Sequence, residues 1–198
     1  MADPLRPYHH GNLRSALLEQ AERKVSERGA QALSLRELAR EVGVSHGAPR
    51  RHFADRRALL DALAEDGFER LGAQLRGAVA AAGTAFDARL HAMSQAYIGF
   101  ATRHAALLEL MFAAKRRSGA DRVRESADRA FAATLEVIAE AQRSGELGPG
   151  DPARVGIVAF ATLQGLAAMG NGEMIGSAPV SEVVNDAINQ LLDGLRPR

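Results

Sequence analysis

The sequence predicts an all-α protein of about nine helices. Three observations carry that reading. Alanine, the best helix former, fills 39 of 198 positions, while tryptophan is absent and tyrosine nearly so. Apolar residues return every three or four positions through most of the chain. No stretch alternates convincingly with period two, so a sheet has no pattern to grow from. The length suits one ordinary domain or a small module joined to a larger one. With 46% hydrophobic and 25% charged residues, the chain can bury a true core. The absence of cysteine excludes disulfide scaffolds, thiolate zinc sites and cysteine nucleophiles. No uninterrupted run of 18 uncharged apolar residues suggests a membrane span. Residues 1–12 hold Pro4, Pro7, His9 and His10 and do not resemble a secretory leader, so a cytoplasmic protein is expected.

The elements follow in order. Leu13, Leu17, Ala21 and Val25 make a stripe every four residues, which places the first helix at Asn12–Arg28, with Gly29 as its stop. The second helix runs from Ser34 to Val42. Ser34 and Glu37 have the S-x-x-E spacing of a capping box, and Gly43 ends the pattern. Ser45 is a second N-cap candidate, opening a short third helix to about Phe53. Asp55 caps a fourth helix that reaches about Ala82, with Leu59, Leu63, Phe68, Leu71 and Leu75 on its apolar face. Five more helices are expected at about Ala85–Arg103, Ala105–Lys115, Asp121–Ser144, Pro152–Met169 and Val180–Leu195. The polar loop Lys115–Ala120 and the Gly- and Pro-rich Gly145–Pro152 separate three of them.

The second and third helices and the turn Gly43-Val44-Ser45 have the proportions of a helix-turn-helix. Gly43 allows the positive φ such a turn needs. Leu35, Leu38, Ala39 and Val44 are expected to share a small core with Phe53. The third helix, His46 to Phe53, has almost no apolar stripe and is therefore kept for its surface. Gly47 and Ala48 give it a low profile; Arg50, Arg51 and His52 supply donors for base edges or phosphates. Charge agrees. Residues 1–60 carry 11 Lys or Arg against 7 Asp or Glu, whereas the remainder carries 14 against 17. A basic head on a mildly acidic body suits an anionic partner. A solvated polar helix in a bundle is the plainer alternative.

The run Ser34-Leu35-Arg36-Glu37-Leu38-Ala39-Arg40-Glu41-Val42-Gly43-Val44-Ser45, continued through His46-Gly47-Ala48-Pro49-Arg50-Arg51-His52-Phe53 to Leu60, resembles the DNA-binding domain of the TetR family of bacterial transcriptional regulators. The lead-in Tyr8-His9-His10-Gly11-Asn12-Leu13-Arg14 resembles one branch of it. The resemblance spans roughly residues 8–70. It implies a homodimeric two-domain regulator, with a DNA-binding head at 1–54 and a ligand-binding and dimerising body at 55–198. The fourth helix links the two. Ser34, Ser45, His46, Gly47, Pro49, Arg51 and His52 match positions that often touch DNA in the family. Arg57 stands where a lysine commonly grips phosphate. Arg50 departs from the family's usual aromatic residue: it keeps a phosphate donor and loses the ring. Phe160, Gln164 and Gly165 occupy the positions of Trp, His and Gly in one TetR C-terminal family, and only the glycine is kept. Tyr8, His9 and His10 could form an arm reaching phosphate or a frayed end.

In the body, the last two helices are expected to make a four-helix interface with a second chain through Val155, Leu166, Val184, Ile188 and Leu191. The same stripes also fit the chain's own core. An inducer pocket is expected among Met93, Tyr97, Phe100, His104, Met111, Phe131 and Gln164, with Phe86, Phe112 and Met169 as further candidates. Tyr97, His104 and Gln164 are its polar members. Catalytic readings lack motifs: there is no Walker loop, no G-x-S-x-G and no dinucleotide fingerprint, and His91 and His104 lack helical metal spacing. No metal and no cofactor is expected. The reading is a repressor on palindromic double-stranded DNA, released by a small-molecule inducer. A regulator controlled by a protein partner, and a helical ligand carrier that has lost DNA binding, remain as alternatives.

Overall fold

The computed structural model describes residues 13–177 and 179–196. Eight α-helices run in order: α1 (Leu13–Arg28), α2 (Leu35–Val42), α3 (Arg56–Ala81), α4 (Phe86–Arg103), α5 (Ala105–Lys115), α6 (Asp121–Ser144), α7 (Pro152–Asn171) and α8 (Val180–Leu195). Short 3₁₀ turns stand at Ala30–Ala32 and Pro49–Arg51, and no strand occurs among the described residues. The expected arm at Tyr8, His9 and His10 lies outside them.

Local chemistry sets the boundaries. Gly43 closes α2 at φ 77° in the left-handed region. Its N–H donates to the Arg40 carbonyl at 3.2 Å, and the Val44 N–H donates to the Ala39 carbonyl at 2.9 Å, a Schellman closure that satisfies two end carbonyls. The Asp55 carboxylate accepts from the Ala58 N–H at 2.8 Å and opens α3. Asp151 does the same for α7 through the Ala153 N–H at 2.9 Å, with Pro152 at the first helical position.

Two sequence expectations fail here. The capping box does not form, since Ser34 makes no side-chain cap bond. Glu37 instead turns to Lys24 of α1 at 3.3 Å, and Lys24 also holds Glu41 at 2.7 Å. An ammonium between two carboxylates outcompetes a backbone N–H. The third α-helix is also missing: residues 46–53 form turns and the 3₁₀ piece Pro49–Arg51. Pro49 has no N–H to donate to the Ser45 carbonyl, so the i to i−4 ladder cannot start there. The Ala48 N–H donates to the Ser45 carbonyl at 3.0 Å with 3₁₀ spacing instead.

The long helix α3 is the axis of the molecule. It packs most extensively on α6, then on α4 and α5, and it also meets α1. Gly72 is buried where α3 crosses α6; a β-carbon there would lie 2.8 Å from the Ala130 Cα. The head core joins Leu17, Leu18, Ala21, Val25, Leu38 and Phe53, and it is continuous with the body core through Leu59, Leu63 and Phe68 of α3. Leu35 packs at its edge. Val42, rather than the expected Val44, is the valine that packs on this cluster.

The expected dimer stripe is partly core. Val184 and Ile188 are 0% exposed, and Val155, Leu166 and Leu191 pack on the same cluster. The apolar face left open lies elsewhere on α7. Ile157 is 67% exposed and Val158 51%, with Ala161, Gly165, Ala168 and Met169 also exposed. By length and hydropathy α7 is also the one helix among the described residues able to cross a membrane, although no unbroken apolar run marks it in the sequence.

Candidate nucleic-acid interface and effector cavity

Every residue nominated for DNA contact except Pro49 is exposed: Ser34, Ser45, His46, Gly47, Arg50, Arg51, His52 and Arg57. Pro49 is buried, so it shapes the turn and offers no surface. The alternation has a local cause. Pro49 and Phe53 point into the head core, and the three side chains between them are left outside. Arg14 reinforces this from α1, its guanidinium lying 5.6 Å from the centre of the Phe53 ring. Arg50 and Arg51 have no ion pair among the described residues. The same holds for Arg36 and Arg40, exposed one turn apart on α2. The sequence reading did not single those two out. Their signal was the i, i+4 spacing of cations on the helix preceding the turn.

The two arginines opening α3 have different tasks. Arg56 is half-buried; its Nε donates to the Leu33 carbonyl at 3.0 Å and its Nη2 to the Ala30 carbonyl at 2.5 Å. It ties α3 to the segment before α2. Arg57 faces out. Its Nη2 donates to the Ser118 carbonyl in the α5–α6 loop at 2.9 Å, and its Nε lies 3.8 Å from Asp61. Arg117 of the same loop pairs with Asp61, and Arg122 reaches Glu65 at 3.2 Å. A polar cleft of about 490 Å³ opens at this joint, between Arg14, His52 and Phe53 of the head and residues 119–123 of the body.

A second contact between head and body lies on α1. Glu22 accepts two bonds from Arg70, at 2.8 and 3.0 Å, and its Oε1 is 3.0 Å from His104 Nδ1. Burial pushes the Glu22 carboxyl up, but the Arg70 guanidinium and then His104 outweigh it, so the group is held below the usual carboxylate range. Asp66, 3.5 Å from Arg70, is pushed the other way by burial.

In the body, α3, α4, α5, α6 and α7 line a cavity of about 260 Å³ that opens to solvent beside Leu135 and Ile157. Met93, Tyr97 and Phe131, all nominated as ligand residues, line it, as does Phe112. Phe100 and Met111 do not. Both are 0% exposed core, and Met111 packs against Gly67. His104 sits at the α4–α5 joint, its ring tilted 40° against Phe100 with centres 4.9 Å apart, and faces Glu22. Gln164 stands behind the wall and accepts the Tyr97 hydroxyl at 2.5 Å. Burial pushes that phenol above its ordinary range, so it stays neutral. Phe86 is plain core and Met169 is exposed. The lining residues that sequence reasoning missed are Leu75, Leu90, Ser94, Lys115, Thr134, Leu135, Ala153, Gly156, Ile157, Ala159, Phe160 and Leu163. Phe160 is the hub of the wall, with ring centres 5.7 Å from Tyr97, 5.5 Å from Phe112 and 5.4 Å from Phe131.

Comparison with known proteins accounts for both halves. The model for bacterial regulatory proteins of the tetR family matches residues 17–63, and the tetracyclin repressor-like C-terminal domain matches residues 90–195. The chain belongs to the TetR family. It is therefore a transcriptional regulator with a DNA-binding helix-turn-helix, on a fold of regulators rather than enzymes. A protein of unknown function from Rhodococcus sp. RHA1 is 47% identical, over 98% of this chain and 100% of its own, with a TM-score of 0.91. The TetR family regulator PfmR from Thermus thermophilus shares the fold at 20% identity, over 91% of this chain and 99% of its own, with a TM-score of 0.71. A TetR family regulator from Marinobacter aquaeolei does so at 18%, over 93% and 96%, with a TM-score of 0.76. No curated protein matches the chain.

Proposed function

We propose that the protein is a repressor that binds a palindromic operator as a homodimer in the cytoplasm and leaves it when a small molecule enters the body cavity. Residues 1–54 act as the head and 55–198 as the body. The observation that carries the reading is the row Arg50-Arg51-His52, exposed beside Ser45, His46 and Gly47 just past the Gly43 turn. Such a row can present guanidinium donors to guanine edges and to phosphates. Arg36, Arg40 and Arg57 add sequence-independent grip. Supporting the dimer is the open apolar face of α7, which in water favours a matching face on a second copy. Paired heads would then meet major grooves about 34 Å apart or a multiple of that.

Arg57 supplies a route for release. On DNA it must exchange the Ser118 carbonyl for a phosphate oxygen, so anything that moves the α5–α6 loop alters its readiness to do so. The test is a gel shift on the DNA upstream of the chain's own gene, with and without candidate ligands. Ligand-dependent release is expected. Binding that no ligand alters would point to control by a protein partner. No binding would leave a helical ligand carrier.

A further inference from the structure

Two properties of the body cavity, its single cation and the uncommitted hydroxyl of Thr134, specify more than an apolar occupant. Lys115 is the one charged residue among those that line it, and no carboxylate does so. We propose that the cavity takes an amphipathic organic anion, with an apolar body against the α4, α6 and α7 walls and an acid group paired with Lys115. The proposal rests on reading this cavity as the effector site.

Lys115 is available for that role. Its nearest anionic partner, Asp128, lies 3.6 Å away on a side chain that is 76% exposed, a loose and solvent-screened pair. A ligand carboxylate shielded by the cavity walls would bind the ammonium more strongly than Asp128 does. Thr134 also lines the cavity, and its hydroxyl makes no hydrogen bond among the described residues, so it is free to donate to an acid oxygen. The Ser94 hydroxyl is committed to the Leu90 carbonyl at 2.7 Å.

The aromatic wall argues against the opposite charge. A cage for a cation needs open ring faces. Here the Phe160 ring meets Tyr97 and Phe131 edge-on, at interplanar angles of 73° and 74°, so the rings satisfy one another. Lys115 would repel a cation as well. Size sets the remaining bound. About 260 Å³ filled to the density of a protein interior holds about a dozen non-hydrogen atoms.

The test uses three probes of that size on the full chain by titration calorimetry: decanoate, undecan-1-ol and undecylammonium. Decanoate is expected to bind one per chain, about tenfold tighter than undecan-1-ol, with undecylammonium weakest. Lys115→Met, which keeps the stem and removes the charge, is expected to abolish the preference for decanoate and to keep undecan-1-ol binding, which also shows that the cavity is intact. Equal affinities for acid and alcohol would overturn the anion assignment and leave the cavity standing as an effector site. So would unchanged decanoate binding by Lys115→Met, or a preference for the ammonium. Failure of all three probes to saturate a site would overturn the cavity reading itself, and this inference with it.

Discussion

Alanine placed at Gly72 or at Gly77 gains the same helix propensity, so the two substitutions isolate what close packing costs α3. Both glycines lie inside the helix, where alanine is favoured by about 0.8–1 kcal/mol. At Gly77 a β-carbon meets nothing within 4 Å, so Gly77→Ala should stabilise by most of that amount. At Gly72 the new carbon would sit 2.8 Å from the Ala130 Cα and 3.3 Å from its Cβ. The first obstacle is backbone on the helix with which α3 makes its main contact, and it cannot swing aside as a side chain does. Overpacking of this kind costs about 1–3 kcal/mol. The cost matches or exceeds the propensity gain, so Gly72→Ala should destabilise by up to about 2 kcal/mol. For a chain of this length a kcal/mol moves Tm by about 2–4 °C. Thermal melts at equal protein concentration should therefore put Gly77→Ala a few degrees above the parent and Gly72→Ala level with it or a few degrees below. A Gly72→Ala melt that rises with Gly77→Ala would refute the claim that α3 and α6 touch backbone to backbone.

Three further outcomes are expected. Arg51→Ala should cost about 1–3 kcal/mol of operator affinity if the side chain reads a base, whereas Arg57→Ala should weaken all sequences alike and lower the salt slope by about one; fluorescence anisotropy against salt checks both, and a sequence-selective loss for Arg57→Ala would contradict a phosphate role. Glu22 is held below its ordinary range in the folded protein, so its stabilising effect is complete above its unfolded value near 4.5 and fades as pH falls through the folded one. Glu22→Gln should cost about 1–2 kcal/mol at neutral pH and flatten the acid limb of urea-measured stability, since the raised Asp66 acts with the opposite sign and is lost as pH rises through its folded value; an unchanged acid limb would remove Glu22 from the account. Ile157→Glu, at a 67% exposed position, should leave the monomer fold intact and shift sedimentation toward monomer; a full-size dimer would move the interface off this face of α7.

Much of the architecture was legible because the chain is punctuated. Gly43 and Gly145 end helices at positive φ, and Asp55 and Asp151-Pro152 begin them, so α5, α6 and α8 fall where periodicity puts them. Competition was not legible. Glu37 has two possible partners in the sequence, and only the fold shows that Lys24 arrives first. Pro49 signals a break, but a capped polar run of helical length masks how far one missing N–H shortens it to a 3₁₀ turn. The exposed donors of the helix-turn-helix could be read because polar side chains without an apolar stripe have few other uses. The body was harder. Periodicity reports that Val184 and Ile188 face something apolar, not whose it is, and they face the chain's own core. Lys115 opens a polar run in the sequence, and only the packing of α5 brings it to the cavity wall.

Helix α3 has 26 residues and is continuous from the Asp55 cap to Ala81, a rod about 39 Å long. One end carries Arg57 and the other passes Leu75 beside the cavity. Over that span a tilt of about 5° carries the tip through about 3.4 Å, one base-pair step along a strand of duplex. In a pair of such rods the displacement counts twice, once for each arm of a symmetric site. The molecule thus has the gearing to turn a rearrangement of a few side chains into a misfit measured in whole base pairs.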